Sequence, residues 1–148
     1  MEREPSTPKL YHEEILKHAK TPQYTSRIKK VDASGYAVNQ FCGDEVKVDL
    51  SYNNGAISDI YINSIGCSIN IASASLMAGE LKTLSQKEAS ALIKTYKSLM
   101  NHKTLETDYG NQIGSLSVME SVKAFPIRIK CALLCAQAIE AAVSRIGV

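Results

Sequence analysis

A predicted β-hairpin near the middle of the chain constrains the fold more than any other feature. Val46, Val48 and Leu50 alternate with polar residues, which is the period of a strand with one buried face. Asn53-Asn54-Gly55 follows, and asparagine and glycine tolerate the positive φ angles of a tight turn. Isoleucines then supply a second and longer strand: Ile57, Ile60, Ile62 and Ile65. Residues 27–38, before the hairpin, are weakly strand-like.

Helical patterns lie on both sides of the hairpin. A short amphipathic helix is predicted from Leu10 to the break at Thr21-Pro22, because the residue before proline avoids helical geometry. The alanine-rich run that follows Cys67 favours a second helix, which Gly79 is expected to end or interrupt.

Three further segments complete the helical half of the chain. Ser85-Gln86-Lys87-Glu88 is typical of a capping box, in which the serine and glutamate side chains bond free amides at a helix start, here a helix over about 87–100. A polar loop over 101–110 and a short helix over 116–123 are expected next, and Pro126 marks a break before a last helix over 130–145. Strands first and helices afterwards indicate an α+β fold.

Composition limits the class of protein. A chain of 148 residues with 45% apolar and 22% charged residues predicts one globular domain over 10–148, preceded by a flexible arm over 1–9. The net charge of +2 argues against a nucleic-acid binder, and the run Arg27-Ile28-Lys29-Lys30 is interpreted as a solvated face. No apolar run approaches the roughly 18 residues of a membrane span, and the N-terminus is unlike a signal peptide. We therefore expect a cytoplasmic protein without a membrane partner.

The four cysteines are the candidates for chemistry. In a reducing compartment, scattered thiols are metal ligands, catalytic groups or core residues more often than disulfides. Cys42 precedes Gly43 at the entrance to the hairpin, and Cys67 lies between a strand and the alanine-rich helix. Cys131 is predicted at the start of the last helix. Cys67 and Cys131 are thus expected at helix N-termini, where free amides and the helix dipole favour a thiolate.

Asp44 is a possible fourth ligand beside these thiols. Soft thiolates with one carboxylate suit zinc or an iron–sulfur cluster. The wide spacing of the cysteines matches no compact zinc finger, however, and a turn or capping role for Asp44 stays open.

Three segments carry a resemblance to a known family: Cys42-Gly43-Asp44, Gly66-Cys67-Ser68-Ile69 with the following Ala72–Met77, and Pro126-Ile127-Arg128-Ile129-Lys130-Cys131. In this order, from about Leu10 to Ala142, they resemble the U-type iron–sulfur cluster assembly proteins, the IscU/NifU N-terminal family. The resemblance implies a SufE/NifU-like sandwich, with a small antiparallel sheet and helices packed on one face. It also implies that the three cysteines form an assembly site. A cysteine desulfurase of the SufS/NifS type would deliver persulfide sulfur, and downstream assembly components or apo-proteins would receive the product.

Departures from the scaffold branch point to the SufU branch. Lys130 stands where scaffolds usually have histidine, and Ala124-Phe125-Pro126 replaces their chaperone-docking motif. The long stretch between Cys67 and Cys131, including the helix near 87–100, resembles the SufU insertion. Proteins of that branch are similar in lacking the histidine, binding zinc and relaying sulfur.

The leading hypothesis is therefore a zinc-bound sulfur acceptor. Zinc would be held by Cys42, Asp44, Cys67 and Cys131. Cys42 is the expected acceptor because Gly43 makes its loop mobile, and Cys131 is the second choice. Lys130 and Arg128 are expected either to steer the partner or to lie on an ordinary surface.

Other classes of function remain as alternatives. One is a scaffold that binds iron and assembles a [2Fe-2S] cluster. Another is a structural zinc domain, and a Cys-His hydrolase is disfavoured because no histidine lies near a cysteine motif.

The remaining cysteine and the histidines are expected to serve packing. Cys135 is interpreted as a buried residue beside Leu134 and Ile139, with a resolving thiol as the alternative. The histidines are expected to be surface or partly packed residues: His12, His18 and His102.

Overall fold

Three antiparallel strands form the sheet in the computed structural model, which describes residues 13–101 and 113–146. Strand β1 spans Ala33–Asn39, β2 spans Asp44–Asn53 and β3 spans Ala56–Ile65, in the order β1-β2-β3. The predicted hairpin is confirmed: Asn54 and Gly55 take positive φ angles of 53° and 80° at the tip between β2 and β3. Of the weakly strand-like residues 27–38, only those from Ala33 onward are strand.

An irregularity in β3 explains the uneven isoleucine spacing. The register shifts at Ser51 and Tyr52, which pair with Asp59 and Ile57. This shift lets Ile57 and Ile60 both face the core although they are three residues apart. Ile65 is again an odd number of residues from Ile62, and it is exposed on the other face.

Four α-helices and one 3-10 helix accompany the sheet in the described chain. Their bounds are α1 Glu13–Lys20, α2 Ser68–Leu81, α3 Gln86–Asn101, the 3-10 helix η1 Gly114–Ala124, and α4 Pro126–Val143. Helices α2 and α4 lie directly on the sheet, with α4 across β1 and β2 and α2 against β3. Helix α1 packs on α2, α3 packs on α4, and η1 contacts both inner helices. The α+β prediction, a small antiparallel sheet with helices on one face, is confirmed.

Burial follows from this layering. Val46, Val48 and Leu50 of β2 are fully buried under the helices, whereas Lys47 on the opposite face is exposed. Helix α2 is apolar around most of its circumference, as expected for a helix enclosed by a sheet and other helices. The core therefore fills the space between the sheet and the pair α2–α4 and continues on their other side, where Ile15, Tyr96 and Met119 of the outer helices are buried.

Glycine allows the closest contact between these layers. A Cβ atom on Gly35 would collide with the backbone carbonyl of Ala138 in α4. Because Gly35 has no side chain, the backbones of α4 and β1 can come into direct contact.

Local capping signals were predicted correctly in α1 and α3. Helix α1 ends at Lys20, just before Thr21-Pro22. At α3, Glu88 N donates to Ser85 Oγ over 3.1 Å, and Ser85 N donates to Glu88 Oε1 over 2.9 Å. The capping box is therefore confirmed.

Two helix predictions were wrong in detail. The last helix begins at Pro126 itself rather than near Lys130, because proline fits the first helical position, where no amide donor is needed. Gly79 lies inside α2, which continues to Leu81. The short helix expected over 116–123 is confirmed, and it is a 3-10 helix over Gly114–Ala124.

Some expectations fall on residues outside the described ranges. They concern the arm over 1–9, the first residues of the predicted first helix, His12, His102 and the loop over 102–110. Among the described helices, none is long and apolar enough to cross a bilayer.

Candidate metal centre

The meander topology brings two of the signature segments together. Asp44 is the first residue of β2, and Cys67 follows the end of β3 as the N-cap of α2. Because β2 and β3 run antiparallel, with Glu45 opposite Ile65, the start of one strand lies beside the end of the other. Residues far apart in sequence therefore meet at one corner of the sheet.

The other two cysteines reach this corner from different elements. Cys42 lies in the short loop between β1 and β2, and Cys131 lies in α4, which crosses both strands. The ligand atoms of Cys42, Asp44 and Cys131 all lie within 4.8 Å of one another.

Cys67 joins the group through Asp44 and Cys131. Its Sγ lies 3.4 Å from Asp44 Oδ2, and its backbone N–H donates to Asp44 Oδ1 over 3.1 Å. The Cys67 side chain also lies close enough to Cys131 to contribute to the raised pKa of the Cys131 thiol. Cys42, Asp44 and Cys131 thus lie close together, and Cys67 lies against Asp44.

Asp44 combines both of the interpretations that the sequence left open. Its carboxylate is buried, with 1% of the residue exposed, and Oδ1 bonds the first amide of the α2 start. Oδ2 faces the thiol of Cys67. One oxygen therefore caps a helix while the other is directed at the cysteines.

Gly66 makes this approach possible. It has a φ of 131°, and a Cβ on it would collide with the carboxylate of Asp44. Only glycine combines that backbone angle with the space the carboxylate occupies.

The position of Cys131 differs from the prediction. Because α4 begins at Pro126, Cys131 lies in the second turn, away from the free amides of the helix N-terminus. Burial raises the pKa of its thiol, and hydrogen bonds to Cys67 and Asp44 raise the pKa further. In the absence of a metal the thiol form is favoured, contrary to the thiolate expected from a helix N-terminus. Cys67, by contrast, is at a helix start as predicted.

The three thiols differ in accessibility. Cys42 is exposed, Cys67 is half-buried, and only 2% of Cys131 is exposed. A reagent approaching from solvent therefore meets Cys42 before the other two.

Sequence reasoning missed the surroundings of Cys42. Phe41 is 97% exposed and Ile127 is 84% exposed, although both are large apolar residues. They border a cleft of about 460 Å³ that also contains Cys42, Cys131 and Lys130. The Lys130 ammonium lies 6.0 Å from the Phe41 ring centroid. We call Phe41, Ile127 and Lys130 the rim. The sequence signal for it was that Phe41 and Ile127 are large apolar residues that belong to none of the predicted core-facing patterns.

Cys135 and His18 lie away from the cluster. Cys135 is fully buried in α4, which agrees with the packing interpretation and places it out of reach of a partner. Burial also raises the pKa of Cys135 to about 12. His18 is half-buried, and its Nδ1 lies 2.7 Å from Ser75 Oγ.

The donor set fits a tetrahedral metal ion. Zinc–thiolate bonds of about 2.3 Å place neighbouring ligand atoms of a tetrahedral site about 3.7 Å apart. The ligand atoms of Cys42, Asp44 and Cys131 lie within 4.8 Å of one another, and Asp44 Oδ2 lies 3.4 Å from Cys67 Sγ, so small side-chain movements would bring these atoms to metal-binding distances. Thiol and carboxylate donors suit zinc and iron alike. Fold and site together thus define an α+β protein with a cysteine–aspartate group that can hold a metal ion.

Comparison with known proteins assigns the family. The family model of the NifU-like N-terminal domain matches residues 10–146. The chain therefore belongs to the NifU-like N-terminal domain family, and the resemblance noted in the sequence is confirmed.

Two relatives represent different branches of this family. The chain is 30% identical over 139 residues to the zinc-dependent sulfurtransferase SufU of Bacillus subtilis, covering 92% of this chain and 90% of that protein. It is 29% identical over 136 residues to the iron-sulfur cluster assembly scaffold protein IscU of Streptococcus pyogenes, covering 92% of this chain and 84% of that protein.

Solved structures share the fold. A candidate iron-sulfur cluster assembly scaffold for the SUF system of Fervidobacterium islandicum superposes with a TM-score of 0.82 at 27% identity, covering 90% of this chain and 96% of the other. The N-terminal part of a NifU-like protein from Brucella abortus gives a TM-score of 0.81 at 20% identity, covering 93% and 94% of the two chains. The second likeness concerns the fold alone.

Proposed function

We propose that this protein accepts persulfide sulfur from a cysteine desulfurase at a zinc ion held by Cys42, Asp44, Cys67 and Cys131. The observation that supports the proposal is the close approach of Cys42, Asp44 and Cys131 at one corner of the sheet, with Cys67 against Asp44. The similarity to a zinc-dependent sulfurtransferase over 92% of the chain supports the choice of zinc and of sulfur transfer.

Accessibility supports Cys42 as the acceptor. It is the exposed member of the cluster, whereas Cys131 is buried and Cys67 is half-buried. The neighbouring Gly43 has a φ of 71° and nothing within 4 Å of the place where a Cβ would lie, so no packed side chain covers the loop on that side. Cys131, the second choice from sequence, would have to leave the core to react.

The transfer is a thiol–persulfide exchange. The Cys42 thiolate attacks the terminal sulfur of the desulfurase persulfide, and a new S–S bond forms on Cys42 as the S–S bond of the donor breaks. The donor cysteine leaves as a thiolate and takes up a proton. The exchange is balanced without an external oxidant or reductant.

Zinc, when bound, keeps its cysteine ligands deprotonated and draws the loops together. The chain provides the rest of the arrangement. Asp44 stays fixed by the Cys67 amide, and Cys67 is fixed as the N-cap of α2. Cys42, as the exposed member of the group, would therefore be the residue available to a sulfur donor, while Asp44, Cys67 and Cys131 would hold the ion.

The rim supports docking of a protein donor beside Cys42. Phe41 and Ile127 offer apolar side chains next to the acceptor, and Lys130 supplies a cation. Burying exposed aromatic and aliphatic groups of this kind contributes most of the affinity in many protein interfaces.

Mass spectrometry of the purified protein tests the proposal. The zinc-loaded chain is incubated with a SufS/NifS-type desulfurase and L-cysteine, and its mass is compared before and after addition of a thiol reductant. We expect a reductant-sensitive gain of one sulfur atom on Cys42. Cys42→Ser should abolish the gain, whereas Cys135→Ser should leave it unchanged.

Two results would contradict the relay. If the wild-type chain gains no sulfur from an active desulfurase, the relay is excluded, and the metal site would have a structural role instead. A chain purified without air that carries a transferable iron–sulfur chromophore in place of zinc would instead favour the scaffold function of relatives such as IscU.

A further inference from the structure

We propose that Asn70 is a positioning residue for the metal centre, an inference that rests on the proposed zinc site. Asn70 lies in the first turn of α2, three residues after Cys67, and its side chain is fully buried. Its Nδ2 donates to the carbonyl oxygen of Glu45 over 3.3 Å and to that of Ile65 over 3.1 Å.

The two carbonyls that Asn70 bonds lie next to the ligands. Glu45 immediately follows Asp44, and Ile65 precedes Gly66 and Cys67. Glu45 and Ile65 also face each other as the last register pair of β2 and β3. The Asn70 amide therefore connects three chain segments at the corner where the proposed ligands lie. These segments are the start of β2, the end of β3 and the first turn of α2.

The remaining atom of the Asn70 side chain indicates that these two bonds are its main contribution. Within the described residues, Asn70 Oδ1 is buried and has no hydrogen-bond partner. Turning the amide over would place this oxygen against two carbonyl oxygens, so the bonds themselves assign its orientation. An orphaned buried oxygen costs stability, which offsets part of what the two bonds contribute.

Freeing the strand ends is expected to disturb the geometry of the ligands. Asp44 Oδ1 is held by the Cys67 amide across the same two strand ends that Asn70 joins. A shift of less than an ångström there changes the distance between Asp44 Oδ2 and Cys67 Sγ, now 3.4 Å. Groups that orient metal ligands typically change metal affinity about 10- to 100-fold when they are removed.

Gln86 provides a matched control. Its Nε2 also bridges two backbone carbonyls, those of Val143 (2.8 Å) and Ile146 (2.9 Å), but at the start of α3 and the end of α4. Removing the side-chain amide of Asn70 or of Gln86 costs the fold two hydrogen bonds in each case. Only Asn70 lies next to the proposed ligands, so the comparison separates an effect on the metal centre from a general loss of stability.

The test compares Asn70→Ala and Asn70→Asp with Gln86→Ala and Gln86→Glu. Zinc affinity is measured by competition with a chelator, and the cobalt-substituted proteins are compared by their thiolate–cobalt absorption. We expect the Asn70 variants to bind zinc at least tenfold more weakly and to show a changed cobalt spectrum. The Gln86 variants should keep wild-type values in both measurements.

A second measurement does not depend on any metal. Hydrogen exchange of the Cys67 amide, which Asp44 protects, should accelerate in the zinc-free Asn70 variants relative to the zinc-free Gln86 variants. Asn70→Ser retains one donor and should be intermediate, and it is the variant used if the other two fail to fold. Wild-type zinc affinity and wild-type Cys67 exchange in the folded Asn70 variants would overturn the inference. Failure of the wild-type chain itself to bind zinc would refute the proposed function instead, and the exchange measurement would still decide the role of Asn70.

Discussion

At the scale of single residues, Asp44 shows how one side chain can serve both the fold and the chemistry. Its Oδ1 accepts the Cys67 amide, and its Oδ2 faces the Cys67 thiol. These contributions can be separated, because an asparagine keeps an oxygen for the amide but carries no charge for a metal ion.

We therefore expect Asp44→Asn to lower zinc affinity by more than about tenfold. Loss of a group that only hydrogen-bonds to a metal ligand already lowers affinity about 10- to 100-fold, and Asp44 is proposed to be a ligand itself. The midpoint of thermal unfolding of the zinc-free protein should change little, because the bond to the Cys67 amide can persist. Asp49→Asn is the control, since Asp49 accepts a hydrogen bond from Ser34 in the middle of β2, away from the ligands. Chelator competition and a melting curve measure both effects, and equal zinc affinity in the two variants would contradict a ligand role for Asp44.

His18 predicts a pH dependence of stability that is separate from the metal centre. Ser75 Oγ accepts a hydrogen bond from the Gln23 amide and also lies 2.7 Å from His18 Nδ1, which holds the imidazole ring against α2. Burial lowers the pKa of His18; the nearby Glu14 carboxylate opposes this shift, and Lys17 adds to it.

The folded state therefore disfavours the protonated imidazole. As pH falls below the ordinary histidine value of 6.5, the unfolded chain binds a proton that the folded chain resists, so the free energy of unfolding decreases. We expect His18→Gln to lose this part of the pH dependence in urea unfolding measured between about pH 5 and 7.5. Parallel stability curves for the two proteins would show that His18 does not contribute.

At the scale of secondary structure, two glycines in different surroundings have opposite effects on stability. Gly35 lies where the α4 backbone contacts β1, and an added Cβ would strike the Ala138 carbonyl. Gly79 lies inside α2 and is exposed, with Tyr24 as its nearest neighbour at 3.8 Å.

Alanine substitutions at these positions should change stability in opposite directions. Gly35→Ala is expected to lower the free energy of unfolding by about 1–3 kcal/mol or more, because the helix must move away from the strand. Gly79→Ala should raise it by about 0.5–1 kcal/mol, because alanine loses less backbone entropy in a helix. Urea unfolding of both variants tests the pair, and a stable Gly35→Ala protein would show that the α4–β1 contact can widen at little cost.

At the scale of the whole molecule, the exposed apolar residues are unevenly distributed. Among the described residues, four of the seven exposed large apolar side chains lie at the end of the sheet beside the candidate metal centre, here called the metal end: Val38, Phe41, Ile65 and Ile127. Leu16 lies on α1, and Tyr36 lies in the middle of β1. Val31 lies before β1, beyond the pair Ala33–Leu50 at the opposite end. The metal end is therefore the better candidate for contact with another protein.

Polar substitutions in the rim test this contact. Phe41→Ser and Ile127→Ser should each weaken binding to the desulfurase by about tenfold or more, since both side chains are free to be buried by a partner. Zinc affinity should remain unchanged, because neither side chain is a ligand. Val31→Ser is the control for general loss of exposed apolar surface. Calorimetric titration measures the affinities, and equal effects of all three substitutions would place the contact elsewhere.

The local elements of this protein were predictable from sequence because their causes are local. Alternation of buried and exposed residues, the turn at Asn54-Gly55 and the bonds of the capping box each act within a few residues. The hairpin, α1 and α3 were accordingly predicted close to their observed bounds. Pro126 was misread because proline can end one helix or begin another, and the choice depends on how the neighbouring segments pack in space.

The sequence by itself determined the order of the elements and, through three motif segments, which cysteines and which aspartate to consider. Only the tertiary structure decided that these residues meet, because that depends on the antiparallel pairing of β2 with β3 and on α4 lying across the sheet. It also decided that Cys42 is exposed while Cys131 is buried, and that Asn70 joins the two strand ends. Such contacts span tens of residues along the chain, and no local pattern encodes them.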